Sequence, residues 1–216
     1  MPPHSDQQLG RRERSKLEKR RRIREATREV FRRKGYEGAT TREIAELADI
    51  AIGTLFAYAS DKRELLMMVV NCDRERLPTV EDNLAEGKDV LDALMCFFEP
   101  RYRYWAKEPE LSRAVVQETV AYHVAAAPGP EMARFYEGRR ALMEDLARLF
   151  ESGQRRGQIV KNVTAGDIAA LFMTIYHGEV REWLRAARPS AAEGLKRLQQ
   201  SFLLALSGVK DRSSGR

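Results

Sequence analysis

The sequence predicts an all-α protein: a small N-terminal three-helix module followed by a larger domain of long helices. Three observations carry this. Apolar residues recur at helical spacing along most of the 216-residue chain, and the only β-like fragment, Gln158-Ile159-Val160, is too short to build a sheet. The first three helical segments, about 20, 8 and 7 residues long with a three-residue link between the last two, are sized as a helix-turn-helix requires. Breakers then divide the rest into helix-length pieces: Pro109, the APGP stretch at 127–130, Gly153 and Gly157, Pro189 and Gly208.

In chain order, residues 1–13 (MPPHSDQQLGRRE) offer little to bury and read as a mobile arm. From Ser15 to Lys34, Ile23, Ala26, Val30 and Phe31, with Leu17 before them, form one apolar stripe, and Gly35 stops the helix. Thr40 and Glu43 then have the T-x-x-E spacing in which each side chain satisfies the other's free backbone N–H. The second helix therefore starts there, runs to about Ala48, and turns Ile44, Ala45, Leu47 and Ala48 inward. Asp49-Ile50-Ala51 leads into a short third helix, Ile52 to about Ala59. A fourth starts near Asp61 and carries Leu65, Leu66, Val69 and Val70. Beyond Pro78 the helical patterns cover 89–107, bent or broken at Pro100, then 109–125, 130–152, 165–187 and 190–207. The resulting segmentation is a flexible arm at 1–13, a helix-turn-helix module at 14–60, a larger helical domain at 61–208 and a disordered tail at 209–216.

Composition narrows the classes. Hydrophobic residues are 43% and charged residues 32%, which fits a globular chain rather than a disordered or fibrous one. No apolar run approaches the roughly 18–20 residues that cross a bilayer. Cys72 and Cys96 lack the spacing of a disulfide framework or zinc finger. The charged first thirty-odd residues have no apolar stretch or cleavage site, so a reducing cytoplasm is expected. Charge is unevenly placed: residues 1–34 hold 13 Lys/Arg against 5 Asp/Glu, a net of +8, and the remainder nets −2. Such asymmetry points to a polyanion, either nucleic acid or a membrane surface. The basic segment has one Phe and few large apolar residues, which disfavours an interfacial membrane helix.

A recognition helix must offer its outer face to a groove about 12 Å wide while its inner face packs on the preceding helix. In Ile52-Gly53-Thr54-Leu55-Phe56-Ala57-Tyr58 the inward residue is Leu55, leaving Gly53, Thr54, Phe56 and Tyr58 available outside. Hydroxyls of Thr54 and Tyr58, and Lys62 at the start of the next helix, suit phosphate contacts. Phe56 serves equally as a cap on a small core.

At these residues the stretch GYEGATTREIAELADIAIGTLFAYASDKRELL resembles the DNA-binding module of the TetR family of bacterial transcriptional repressors, over about residues 15–66. Gly35, Tyr36, Thr40, Ile44, Ala45, Ala48, Gly53, Thr54, Leu55, Tyr58, Lys62 and Leu65 fall at the family's positions. Asp49 replaces the usual turn Gly, Ala51 the usual Ser/Thr cap, Phe56 the usual Tyr and Ala59 the usual Phe. The resemblance implies a DNA-binding set of Thr40, Thr41, Arg42, Ile52, Gly53, Thr54, Phe56, Tyr58 and Lys62. Base reading would fall to Thr41, Arg42, Ile52 and Gly53, with Arg42 suited to guanine and Ile52 to a thymine methyl. It also implies a C-terminal domain that binds a small-molecule effector and forms the homodimer that places two recognition helices on a double-stranded operator.

The residues themselves leave that second domain open. Patterns 165–187 and 190–207 carry broad apolar faces that serve either a twofold four-helix interface or an intrachain core. Phe97, Phe98, Tyr102, Trp105, Tyr122, His123, Phe172, Tyr176 and His177 suit a ligand cavity between helices, and equally a plain core. No metal site, cofactor or enzymatic activity is expected. P-loop, GxGxxG, GxSxG and HExxH motifs are missing; Ser207–Lys210 fits S-x-x-K without its usual companions. The competing readings are a basic helical peripheral membrane protein and a small all-helical enzyme.

Overall fold

The computed structural model describes residues 10–78, 89–121 and 128–209, and their regular structure is helical, with no β-strand among them. Residues 1–9, Tyr122, His123 and the segment after Val209 lie outside the described residues, while Arg11, Arg12 and Glu13, expected in the arm, form the first turn of α1. The helices are α1 (Arg11–Gly38), α2 (Thr41–Leu47), α3 (Ile52–Phe56), α4 (Lys62–Arg74), α5 (Val90–Lys107), α6 (Pro109–Ala121), α7 (Pro130–Arg155), α8 (Ala165–Trp183) and α9 (Ala191–Val209). None of the described helices is long and apolar enough to cross a membrane. The chain divides into two compact units.

The N-terminal unit runs to Asp73 and takes in residues 128–134, so it extends past residue 60 to include nearly all of α4 and the first turn of α7. On α1, Ile23, Ala26, Val30 and Phe31 are buried as the apolar spacing requires, but Leu17 is 50% exposed. It lies more than a turn before the helix reaches the core. Gly35, at φ 71° and ψ 170°, breaks the helical path. Only glycine adopts that conformation freely, and it lets the chain turn toward α2. On α2, Ile44, Ala45 and Ala48 are buried while Leu47 is 49% exposed. Leu47 instead borders a shallow surface cleft with Val30, Arg33 and Lys34. Asp61 Oδ1 accepts from Glu64 N at 2.8 Å, capping α4, and Leu65, Leu66, Val69 and Val70 are all buried.

A polar arrangement fixes the start of α7 within this unit. The Glu64 carboxylate, 2% exposed, accepts from the backbone N–H of Glu131 at 2.8 Å and of Met132 at 2.9 Å. Those are two of the orphan donors at a helix N-terminus, and they are capped by a residue from another helix. Gly129 stands where a capping side chain would, and a Cβ there would lie 2.5 Å from Glu64 Cδ. Asn71 Nδ2 donates to Glu131 O at 2.8 Å and to its Oε2 at 3.0 Å, and Arg20 completes the group with an ion pair to Glu131.

The C-terminal unit comprises α5, α6, α7 from Phe135 onward, α8 and α9. Its core brings together Phe97, Phe98, Tyr102, Phe150, Phe172 and Phe202. Phe97 and Phe98 meet edge to face at 5.1 Å, and Phe172 meets Phe202 at 4.9 Å, separations at which aromatic pairs add to simple area burial. Helix α5 pairs with α9 and α6, and α8 with α9. Of the expected bend or break at Pro100, no break occurs: α5 continues through it. Likewise α7 passes Gly153 to end at Arg155, where Gln158 N donates back to Gly153 O at 2.9 Å. Thr164 caps α8, accepting from Asp167 N at 3.1 Å.

Candidate nucleic-acid interface

Helices α2 and α3 are set by local chemistry. Thr40 and Glu43 form a reciprocal capping box at the start of α2, with Lys34 paired to the Glu43 carboxylate. Lys34, and after it Thr40, hold that carboxyl below its ordinary range. The turn between α2 and α3 depends on Asp49 at φ 50°. This is left-handed backbone, the region where Asp is among the few side chains tolerated. Arg22 secures the turn by donating to Asp49 O at 2.7 Å and Asp49 Oδ2 at 2.8 Å, and also to Ala48 O. The sequence showed Arg22 as one member of a basic run; its role became visible only when α1 crossed the end of α2.

Helix α3 spans five residues, with Ala51 as its N-cap at φ −66° and ψ 144° and no side-chain cap bond. Serine fits that backbone. Ala51→Ser is therefore expected to stabilise the fold by about 1 kcal/mol, read as a higher urea midpoint at unchanged slope; a lower midpoint would contradict the cap assignment.

The inward residue is Leu55, which is fully buried, whereas Ile52 is 41% and Phe56 48% exposed. Phe56 thus faces outward and is not a core cap. Gly53 is exposed, with open space around its Cβ position. Thr41 and Thr54 are half-buried, and Arg42 is exposed. Tyr58 borders a cleft of about 900 Å³ with Arg11, Arg12, Glu13, Ser15, Lys16 and Lys19, and its hydroxyl lies 3.5 Å from Lys16 O. Lys62 is differently placed: Nζ donates to Glu37 O at 3.1 Å and Ala39 O at 3.4 Å, and sits 4.6 Å from the Tyr36 ring centroid. It ties α4 to the link between α1 and α2, leaving one ammonium proton for an outside partner.

The Arg-rich segment is only partly available for an anion. Arg21 pairs with Glu18 and Glu25, Arg28 with Asp73, and Arg20 and Arg22 as described. By contrast Arg11, Arg12, Arg14, Lys16 and Lys19 are exposed, with no ion pair among the described residues. The segment of α1 from Arg11 to Lys19, beside Tyr58, is the cationic part of this surface.

Of the effector candidates, Phe97, Phe98, Tyr102 and Phe172 are fully buried in the C-terminal core. Trp105 Nε1 donates to Tyr176 Oη at 2.8 Å, and His177 Nδ1 lies 3.4 Å from Arg139 Nη2. No cluster of three or more metal-ligating side chains occurs among the described residues.

A capped α2, a left-handed turn and a short α3 with an exposed outer face make up a helix-turn-helix. Residues 23–68 match the family described as bacterial regulatory proteins, tetR family. It is 30% identical over 110 residues to the HTH-type transcriptional repressor KstR of Rhodococcus jostii, covering 51% of each chain. The chain thus spans about half the length of that relative. The KstR of Mycobacterium tuberculosis is 26% identical over 197 residues, 90% of this chain and 83% of the relative. Among solved structures, Thermus thermophilus FadR, described as a TetR family transcriptional repressor in complex with lauroyl-CoA, superposes with a TM-score of 0.61 at 24% identity, over 85% of this chain and 93% of that one. Bacillus subtilis FadR in complex with stearoyl-CoA gives 0.62 at 18% identity, over 86% and 96%. These two likenesses concern the fold.

Proposed function

We propose that this protein is a ligand-responsive transcriptional repressor that binds a palindromic operator as a homodimer and releases it when a small apolar or aromatic molecule occupies the C-terminal unit. The observation that carries the reading is the exposed set at the starts of α2 and α3, Arg42, Ile52 and Gly53, on a module whose first helix presents exposed cations, without an ion pair among the described residues, next to Tyr58. Arg42 suits a bidentate contact to guanine and Ile52 a thymine methyl, while Thr54, Tyr58 and the α1 cations suit phosphates. The naming of the KstR and FadR relatives as repressors, and the acyl-CoA bound in the FadR structures, support the reading.

For the dimer, α8 exposes Ala170, Leu171, Thr174 and Gly178 at helical spacing, and α9 exposes Leu203 and, at 77%, Leu204. Small residues on one helix and leucines on the next suit a close-packed twofold bundle. For release, α4 is the mechanical path: it carries Lys62 at one end, and its Glu64 and Asn71 hold the first turn of α7. A ligand that biases that arrangement shifts operator affinity by a coupling of about 1–3 kcal/mol.

Lys62→Ala tests the phosphate assignment. It is expected to weaken binding to all sequences alike and to make the slope of log K against log salt shallower by about one unit, read by fluorescence anisotropy on operator and random duplexes. An unchanged slope would confine Lys62 to the carbonyls it already holds.

A further inference from the structure

The outward face of α3 carries no hydrogen-bonding side chain. Its exposed residues are Ile52, Gly53 and Phe56, with Ala51 just before the helix and Ala57 just after it. The neighbouring hydroxyl-bearing residues, Thr54 and Tyr58, are half-buried. Ile52 and Phe56 stand four residues apart, which sets them one above the other on the same side of the helix, while Leu55 and Ala59 pack inward. Between them Gly53 leaves open space around its Cβ position, so a flat surface can approach both side chains closely.

Paired apolar side chains rimmed by charge mark a contact surface, and the rim says for what. Arg42 is exposed at the start of α2. Two residues beyond Phe56, Tyr58 opens onto the cleft where Arg11, Arg12, Lys16 and Lys19 outnumber Glu13. A cationic rim selects a polyanion, so the occupant must present phosphates and, between them, something apolar. In the major groove only thymine does so: its C5 methyl projects there, whereas adenine, guanine and cytosine offer hydrogen-bond donors and acceptors that Ile52 and Phe56 cannot answer.

We propose that Phe56 is a base-reading residue and that, together with Ile52, it makes α3 a thymine-methyl reader: each side chain packs on one C5 methyl, and hydrogen-bonded reading is left to α2. This rests on the reading of α2 and α3 as the DNA-contacting pair and deepens it. It gives a role to Phe56, whose ring has no hydroxyl to offer a phosphate. Side chains four apart on a helix have Cβ atoms about 5–6 Å apart, less than two base steps of about 3.4 Å. The two thymines therefore fall on neighbouring base pairs or one step further apart.

The test uses the full chain and the duplex it enriches from a random pool. Replacing thymidine by deoxyuridine removes the C5 methyl and keeps every hydrogen-bonding group of the base. Made at one symmetric pair of positions at a time and read by fluorescence anisotropy, the replacement should weaken binding at two such pairs by about sixteenfold, that is, about fourfold for each methyl taken out of contact. In Phe56→Ala one of those pairs should become insensitive to the replacement, and in Ile52→Ala the other; Phe56→Leu, which keeps an apolar contact, should retain most of the sensitivity. Each value is a ratio of two duplexes on one preparation, so partial misfolding of a variant does not move it. Half-sites without A·T pairs, equal affinity of the wild type for thymidine and deoxyuridine duplexes, or a ratio unchanged in both Ala variants would overturn the proposal. The last result would place the two side chains on the sugar–phosphate backbone. All three occur with selective DNA binding intact, whereas failure to enrich any sequence would overturn the underlying reading of α2 and α3 and this proposal with it.

Discussion

Glu64→Ala should cost about 3 kcal/mol of stability, equivalent to roughly 6–12 °C in unfolding temperature for a chain of this size. The substitution removes a buried carboxylate that caps the Glu131 and Met132 N–H groups, leaving two donors unsatisfied at about 1–3 kcal/mol each before relaxation. Glu64→Gln retains one acceptor oxygen but turns an amide N–H toward the other donor, so a loss of about half that size is expected. Gly129→Ala should be destabilising by a comparable amount, because its Cβ falls 2.5 Å from Glu64 Cδ and displaces the cap. The two effects are one interaction. In the Glu64→Ala background Gly129→Ala should therefore cost almost nothing, a non-additivity readable in a double-mutant cycle from urea unfolding. Simple additivity would show that Glu64 and Gly129 act independently and that the α7 cap lies elsewhere.

The second large effect is acid sensitivity. Burial first, then Arg139, Arg74 and Arg181, depress His177 from 6.5 to about 4 in the folded chain. At pH 7 the ring is neutral both folded and unfolded, and the site costs nothing through titration. Between pH 6.5 and 4 the unfolded chain takes up a proton that the folded chain refuses, so stability falls as pH falls. The loss approaches about 1.4 kcal/mol per pH unit and totals about 3 kcal/mol by pH 4. Carboxylates such as Glu43, held low by Lys34, add their own losses further down. The contribution of His177 is thus the difference between the wild type and His177→Gln, whose amide oxygen still accepts from Arg139. The wild type should lose more stability than the variant between pH 7 and 4, and parallel curves would assign the acid response to the carboxylates alone.

Much of the N-terminal unit is legible in the sequence because its determinants are local. The Thr40–Glu43 box, the inward Leu55 and the apolar spacing on α1 and α4 each involve residues within a turn or two of one another. Where reading fails, the cause is tertiary. Leu17 and Leu47 fit their stripes but end at the edge of the packed region, so periodicity overstates how much is covered. Pro100 is accommodated within α5, although a proline normally interrupts a helix. The pairings of Arg22 with Asp49 and of Glu64 with the α7 N-terminus join residues 27 and 67 or more positions apart, beyond any spacing rule. In the C-terminal unit the aromatic residues announce themselves. The partners of the buried cations there, a carbonyl for Arg101 and a ring for Arg74, become visible only when the helices are in place.

The central claim, sequence-specific DNA binding by a twofold dimer through α2 and α3, is tested most directly by selecting duplexes from a random pool with the purified protein and sequencing what is retained. The account predicts an inverted repeat with half-site centres about one helical turn, or a multiple of it, apart. It further predicts that Arg42→Ala relaxes preference at one symmetric pair of positions while keeping the rest of the motif. Retention with no enriched motif, or a motif without twofold symmetry that Arg42→Ala leaves intact, would contradict it.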